Sequence, residues 1–256
     1  MSLDQQIDRL IKPLAEGLSD IVFYQISVFG QGFPLIVLWL VTAAVFFTGY
    51  LGFINIRGFS KAISLVSGTS GKTNGSGEIS HFQALSTAIS GTVGVGNIGG
   101  VAVAISIGGP GAAFWLFMAG FLGMSTKFVE CTLGVKYRRE NLDGSVSGGP
   151  MYYLERYLLD RGFPKLGKLL GGFYALALVI GCFGIGNMFQ SNQAYVQVLS
   201  ISGGENSFFA DKGWLFGLLL ASAVAAVIIG GIRSIGNVAS KIVPFMAILY
   251  IFSAVG

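Results

Sequence analysis

Residues 90–100 read Ser90-Gly91-Thr92-Val93-Gly94-Val95-Gly96-Asn97-Ile98-Gly99-Gly100, five glycines among eleven residues. The stretch lies inside residues 79–126, where no Asp, Glu, Lys or Arg occurs over 48 positions. A helix needs about 20 residues to cross about 30 Å of hydrocarbon, so this run is long enough for two crossings. The turn Gly108-Gly109-Pro110-Gly111 divides it, which places spans at about 83–107 and 112–134. The glycine-rich stretch then falls near the middle of the first span. Gly96 and Gly100 form a GxxxG pair, so close helix packing is one reading. An unwound helix is the other: broken membrane helices line cavities, where freed amides hold a carboxylate and freed carbonyls hold a cation. Ser90, Thr92 and Asn97 put polar side chains in the same stretch. That clustering at mid-depth favours the unwound reading and points to the site of a secondary transporter.

Two soluble-protein motifs are mimicked here and rejected. Gly94-Val95-Gly96-Asn97-Ile98-Gly99 matches GxGxxG, but the dinucleotide fingerprint needs a strand before it and an acid about 20 residues later. The preceding segment has helical character, and the next acid is Glu130. Gly71-Lys72-Thr73 resembles the end of a phosphate-binding loop, but the position that needs the first glycine is Val66.

Outward from this stretch, composition says the same. Of 256 residues, 53% are hydrophobic and 11% charged, against roughly 25% charged in soluble domains. A soluble surface cannot be built from that, whereas a bilayer removes the need for one. The net charge of +4 calls for no nucleic-acid partner, because loop asymmetry accounts for the cations. Further uncharged runs place spans at 33–54, 171–199 and 213–232, with a last run from Ile242. That last run has only 15 residues, which suggests a chain ending inside a helix. Residues 1–24 carry Leu3, Ile7, Leu10, Leu14, Leu18 and Ile21 at spacings of three and four, the apolar face of an interfacial helix bent at Pro13. Alternate connections hold 13 and 3 of the Lys and Arg residues. The positive-inside rule makes loops 55–82 and 135–170 cytoplasmic and the N-terminus extracytoplasmic. Within 136–168, alternating apolar and charged residues around Tyr152–Arg161 predict a short surface helix. The Gly/Ser/Thr-rich segment 67–77 reads as a flexible loop.

A second polar cluster, Gly184 to Gln193, lies in the span 171–199 and would face the broken helix, since amides in lipid need partners. No acid or base lies deep in any span. Oxygen and amide ligands suit a hard cation, so Na⁺ is favoured over H⁺ as coupling ion. His81 stands without a catalytic partner pattern, and Cys131 and Cys182 read as small packing residues. No organic cofactor and no enzymatic activity is expected. The residues leave open a passive pore or channel, a proton-coupled transporter and a non-transporting scaffold.

The run from Ser90 to Arg138, with Ser147–Leu158 (SGGPMYYLERYL) and Ile185–Gln193 (IGNMFQSNQ), closely resembles the alanine or glycine:cation symporters, the sodium:alanine symporter family. The resemblance implies an all-α integral membrane protein of the leucine-transporter-like inverted-repeat fold. Residues 33–54 would be an extra peripheral helix, and residues 83–256 a first five-helix repeat with its fifth helix incomplete and the second repeat absent. It implies Na⁺-coupled symport of alanine or glycine across the cell membrane, which is the inner membrane where there are two. It places substrate contacts on Thr92, Gly94, Gly96, Gln190 and Asn192. The ion would sit at Ser90, Gly91, Val93 and Asn97.

Overall fold

The computed structural model describes residues 3–28, 30–68, 78–182, 187–210 and 212–255. The 67–77 loop therefore lies outside the described residues except at Ser67 and Gly68, and so do Gly184, Ile185 and Gly186 of the second polar cluster. The chain is 79% helical, so the expected class holds, with two short β-hairpins added.

It begins with α1 (Leu3–Val22), which has Pro13 inside it. Strands β1 (Gln25–Val28) and β2 (Gln31–Pro34) then pair antiparallel, with Gln25 opposite Pro34. Helix α2 (Leu35–Tyr50) follows, then α3 (Ile54–Arg57), α4 (Phe59–Val66), α5 (His81–Thr92), α6 (Val95–Gly108) and α7 (Pro110–Lys136). A second hairpin, β3 (Arg139–Glu140) with β4 (Val146–Ser147), leads into α8 (Pro150–Asp160) and α9 (Pro164–Cys182). The chain continues through α10 (Asn187–Ile201), a single 3₁₀ turn at Gly204–Asn206, α11 (Gly213–Ile228) and α12 (Gly231–Val255).

Two sequence-based boundaries change. The span expected at 33–54 is the 16-residue α2, because the hairpin holds the backbone extended up to Pro34. Its other end is closed by left-handed turns at Gly52 and Phe53. The run expected to start at Ile242 is the end of a helix that starts at Gly231 and is 25 residues long. Arg233 and Lys241 lie within that helix, so a charge-free criterion placed its start too late, and α12 is long enough to cross a membrane. The span expected at 171–199 lies within the segment Pro164–Ile201, whose described parts are α9 and α10. The surface helix expected near Tyr152–Arg161 is α8.

Among the described residues, three helical segments are long and apolar enough to cross a membrane: Pro110–Lys136, Pro164–Ile201 and Gly231–Ala254. The pair α5 and α6 counts as a fourth if taken as one bent span. Large apolar side chains face outward along these helices, with Trp115 70% and Phe252 74% exposed. That pattern suits hydrocarbon rather than water.

The chain forms two compact units, one of residues 1–59 with 114–129 and one of residues 60–113 with 130–256. In the first, a buried polar knot joins α2 to α7. Thr48 Oγ1 donates to the Ala44 carbonyl at 2.7 Å and lies 3.1 Å from the Ser125 hydroxyl. Asn55 Nδ2 donates to the Phe121 carbonyl at 3.2 Å. Such pairs join helices where hydrophobic attraction between them is weak.

In the second unit, α9 lies against α8 through two glycines. A Cβ at Gly167 would stand 2.8 Å from the Glu155 carbonyl, and one at Gly171 2.8 Å from the Met151 carbonyl. Helix α5 lies against α12, where Gly236 faces Ile79 and Gln83. Glu78, just before α5, accepts from the Val146 amide at 3.3 Å and stands 3.7 Å from Arg233 Nε. One carboxylate thus ties the start of α5 to the β3–β4 hairpin and to α12. Cys131 and Cys182 are free thiols and both are exposed.

Candidate functional site

The helix carrying the glycine-rich stretch is broken. Helix α5 starts on a capping box, with Ser80 Oγ accepting from the Gln83 amide and Gln83 Oε1 accepting from the Ser80 amide. The pattern Ser-x-x-Gln before an apolar run carries that signal in the sequence. Helix α5 ends at Thr92. Val93 (ψ 118) and Gly94 (φ −158, ψ −164) are extended, α6 starts at Val95, and the two axes differ by 45°.

The interruption is shorter than residues 91–100: Gly91 lies in α5, and Gly96 to Gly100 lie in α6. The packing reading of Gly96 and Gly100 also finds no support within this chain. A Cβ at Gly91, Gly96 or Gly100 would meet nothing within 4 Å. The glycine pair that a helix does pack against is Gly167 and Gly171 on α9.

A break of this kind exposes backbone polarity. The last carbonyls of one helix and the first amides of the next lack intrahelical partners. Here the Gly94 carbonyl accepts from the Asn97 amide at 3.0 Å, which starts α6. The Thr92 hydroxyl donates to the Ala88 carbonyl at 2.6 Å, and the Ser90 hydroxyl to Thr87 at 2.7 Å. Both hydroxyl protons are thus spent within α5, which leaves the oxygen lone pairs free to accept or to ligate.

One side chain from another helix reaches the break. A Cβ at Gly94 would stand 2.6 Å from Gln190 Nε2, so the Gln190 amide of α10 sits against the Gly94 backbone. Only glycine leaves room for it in that position. Of the predicted substrate residues, Gly94 and Gln190 are therefore brought together. Thr92 is two residues before Gly94 at the end of α5, and Gly96 is in the first turn of α6. Asn192 follows Gln190 by two residues, about 200° around the helix, so it faces away from the break; both residues are exposed. Of the predicted ion residues, Ser90 and Gly91 lie in the last turn of α5, Val93 is in the break, and Asn97 is in the first turn of α6.

Asn187 opens α10. Its Oδ1 accepts from the Met188 amide at 2.7 Å, and its Nδ2 donates to the Cys182 carbonyl at 2.8 Å. It thereby joins the end of α9 to the start of α10, the helix that carries Gln190. Sequence reading saw Asn187 as one polar residue of a cluster and missed this bracing role, because the partner is a main-chain atom. Among the described residues no group of three or more His, Cys, Asp or Glu could hold a metal ion.

A helix broken at its centre, with a carboxamide of a second helix against the break, is the arrangement on which the comparisons bear. The family described as the sodium:alanine symporter family matches residues 17–256. The chain belongs to the sodium:alanine symporter family. This is a family of transporters, not of enzymes. Among curated relatives, the sodium/alanine symporter AgcS of Methanococcus maripaludis is 43% identical over 220 residues, 86% of this chain and 46% of the relative. The putative sodium/proton-dependent alanine carrier protein YrbD of Bacillus subtilis is 42% identical over 181 residues, 71% of this chain and 34% of the relative. The probable sodium/glutamine symporter GlnT of Bacillus subtilis is 34% identical over 218 residues, 85% and 42%. The chain thus spans less than half the length of these relatives. No solved structure matches.

Proposed function

We propose that this protein is a Na⁺-coupled symporter of a small neutral amino acid, alanine or glycine, in the leucine-transporter-like fold. The carrying observation is the break at Val93–Gly94 with the Gln190 amide against it. The amides that open α6 suit the substrate carboxylate, as at other half-helix N-termini. The Thr92 hydroxyl and the Gly94 and Gly96 backbone would hold the substrate, with the Gln190 amide as orienting partner. Asn192 is a weaker candidate, because it lies on the other side of α10. The carbonyls of Gly91 and Val93, with the oxygens of Ser90 and Asn97, supply the hard ligands that Na⁺ takes. Transport follows by alternating access, in which the two half-helices lean differently about the break. The N-terminus lies outside and loops 55–82 and 135–170 lie in the cytoplasm, as the distribution of cations supports.

The test is uptake into liposomes by the intact protein as the cell makes it. An inward Na⁺ gradient should drive concentrative accumulation of labelled alanine or glycine. Equal uptake with K⁺ replacing Na⁺ at fixed pH would remove the coupling, and uptake driven by a pH gradient alone would assign it to protons. Single-channel currents without accumulation would make it a pore. Glutamine is the competitor that decides pocket size. Thr92→Val should raise KM for alanine about tenfold, the cost of one lost hydrogen bond to a charged group, with Thr92→Ser close to wild type.

A further inference from the structure

Gly167 and Gly171 turn one side of α9 toward α8. At about 100° per residue, the opposite side carries Lys165, Leu169, Phe173 and Leu176. Leu169, Phe173 and Leu176 are 67%, 69% and 61% exposed. An apolar strip of this kind, on a segment long and apolar enough to span, belongs in hydrocarbon. At its N-terminal end the strip meets three exposed cations: Arg161 in the turn before α9, then Lys165 and Lys168. None of the three has an ion-pair partner among the described residues. Arg161 lies over the Tyr157 ring, 5.3 Å from its centroid, which leaves its hydrogen-bond donors free.

The neighbouring charges do not cancel them. Between residues 155 and 168 stand four cations and two acids, Glu155 and Asp160. Glu155 is turned toward α9, its Cβ 3.7 Å from where a Gly171 Cβ would be. The fourth cation, Arg156, is committed elsewhere, with Nη1 donating to the Arg138 carbonyl at 3.1 Å.

We propose that Arg161, Lys165 and Lys168 form a docking surface for the anionic headgroups of membrane lipids, at the point where α9 enters the bilayer. The inference rests on membrane insertion and not on which solute is carried. Long basic side chains lay their stems along apolar surface and reach the headgroup phosphates with their charged ends. Each cation held near an anionic lipid surface raises binding about fivefold. The leucines and Phe173 below fix the depth, so the charges meet phosphates of a lipid and not of a soluble ion.

The test is lipid selectivity of the intact protein in nanodiscs of phosphatidylcholine with a minority of phosphatidylglycerol. Spin-labelled phosphatidylglycerol at the protein boundary is measured against spin-labelled phosphatidylcholine. Wild type should prefer phosphatidylglycerol. Each of Arg161→Gln, Lys165→Gln and Lys168→Gln should lower that preference about fivefold at the site. The charge-keeping Arg161→Lys, Lys165→Arg and Lys168→Arg should retain it, which separates lost charge from lost folding. The control Arg9→Gln/Lys12→Gln should leave it unchanged. Wild type without preference, neutral variants that keep it, or its loss to millimolar glycerol phosphate in solution would overturn the proposal. The readout needs no transport, so failure here and failure of the symport reading are distinguishable.

Discussion

Gly94 carries the most specific burden of any residue in the chain. A methyl group added there would reach the Gln190 amide, 2.6 Å from Nε2. The obstructed group is the end of a flexible side chain, so Gly94→Ala should fold, with stability changed by about 1 kcal/mol or less. What it should lose is the placement of Gln190. In the uptake assay we expect kcat/KM to fall about tenfold or more, the scale of one mispositioned polar contact. Gln190→Ala in the same background should then add little, because the two changes remove one interaction. Full additivity would separate Gly94 from Gln190. At the β3–β4 turn, the Ser145 hydroxyl and amide both donate to Asp143 and hold its carboxyl below the ordinary carboxylate range. A lowered folded value means that the turn gains stability above the ordinary value of about 3.9. That gain is lost as pH falls through the lower folded value. Carbon NMR of the Asp143 carboxyl should show a low midpoint that rises toward normal in Ser145→Ala.

Helix contacts in this chain are made by small residues and main-chain atoms. Gly167 and Gly171 let α9 approach the α8 backbone so closely that each Cβ would stand 2.8 Å from a carbonyl oxygen. Backbone cannot swing aside as a side-chain end can. Gly171→Val should therefore cost about 1–3 kcal/mol, the usual range for overpacking. The thermal midpoint of the purified protein should fall accordingly, whereas the same change at Gly172, where a Cβ meets nothing within 4 Å, should be mild. Equal effects at both positions would refute the packing account. The spacing Gly-x-x-x-Gly was readable at both 96/100 and 167/171. Which of the two is used depends on what stands opposite, and the sequence does not carry that. The break between α5 and α6 was readable as a location because glycines and polar groups crowd mid-span. Its extent was not, since glycines at 96, 99 and 100 remain helical once α6 is nucleated from the Gly94 carbonyl.

For the whole molecule, the proposed sidedness has a direct test. In a background otherwise free of cysteine, which includes Cys131→Ala and Cys182→Ala, single cysteines at Ser145 and Glu205 should label from opposite faces of the membrane. Ser145 should react from the cytoplasmic face. Labelling of both from one face would overturn the arrangement inferred from the cations.

The membrane class, the number of apolar runs, the surface helix α8 and the place of the break all follow from one-dimensional properties. Bilayer thickness and the cost of unpaired backbone polarity act on each segment by itself. The start of α12 at Gly231 and the hairpin that shortens α2 needed the folded chain. Charged residues are tolerated inside a helix when neighbours and the interface receive them, and no charge-free window reports that. The pairing of Gln190 with Gly94, and the turning away of Asn192, were likewise decided in three dimensions. Two amides two residues apart look equivalent in sequence, but a helical turn sends them to opposite sides and only one meets the break.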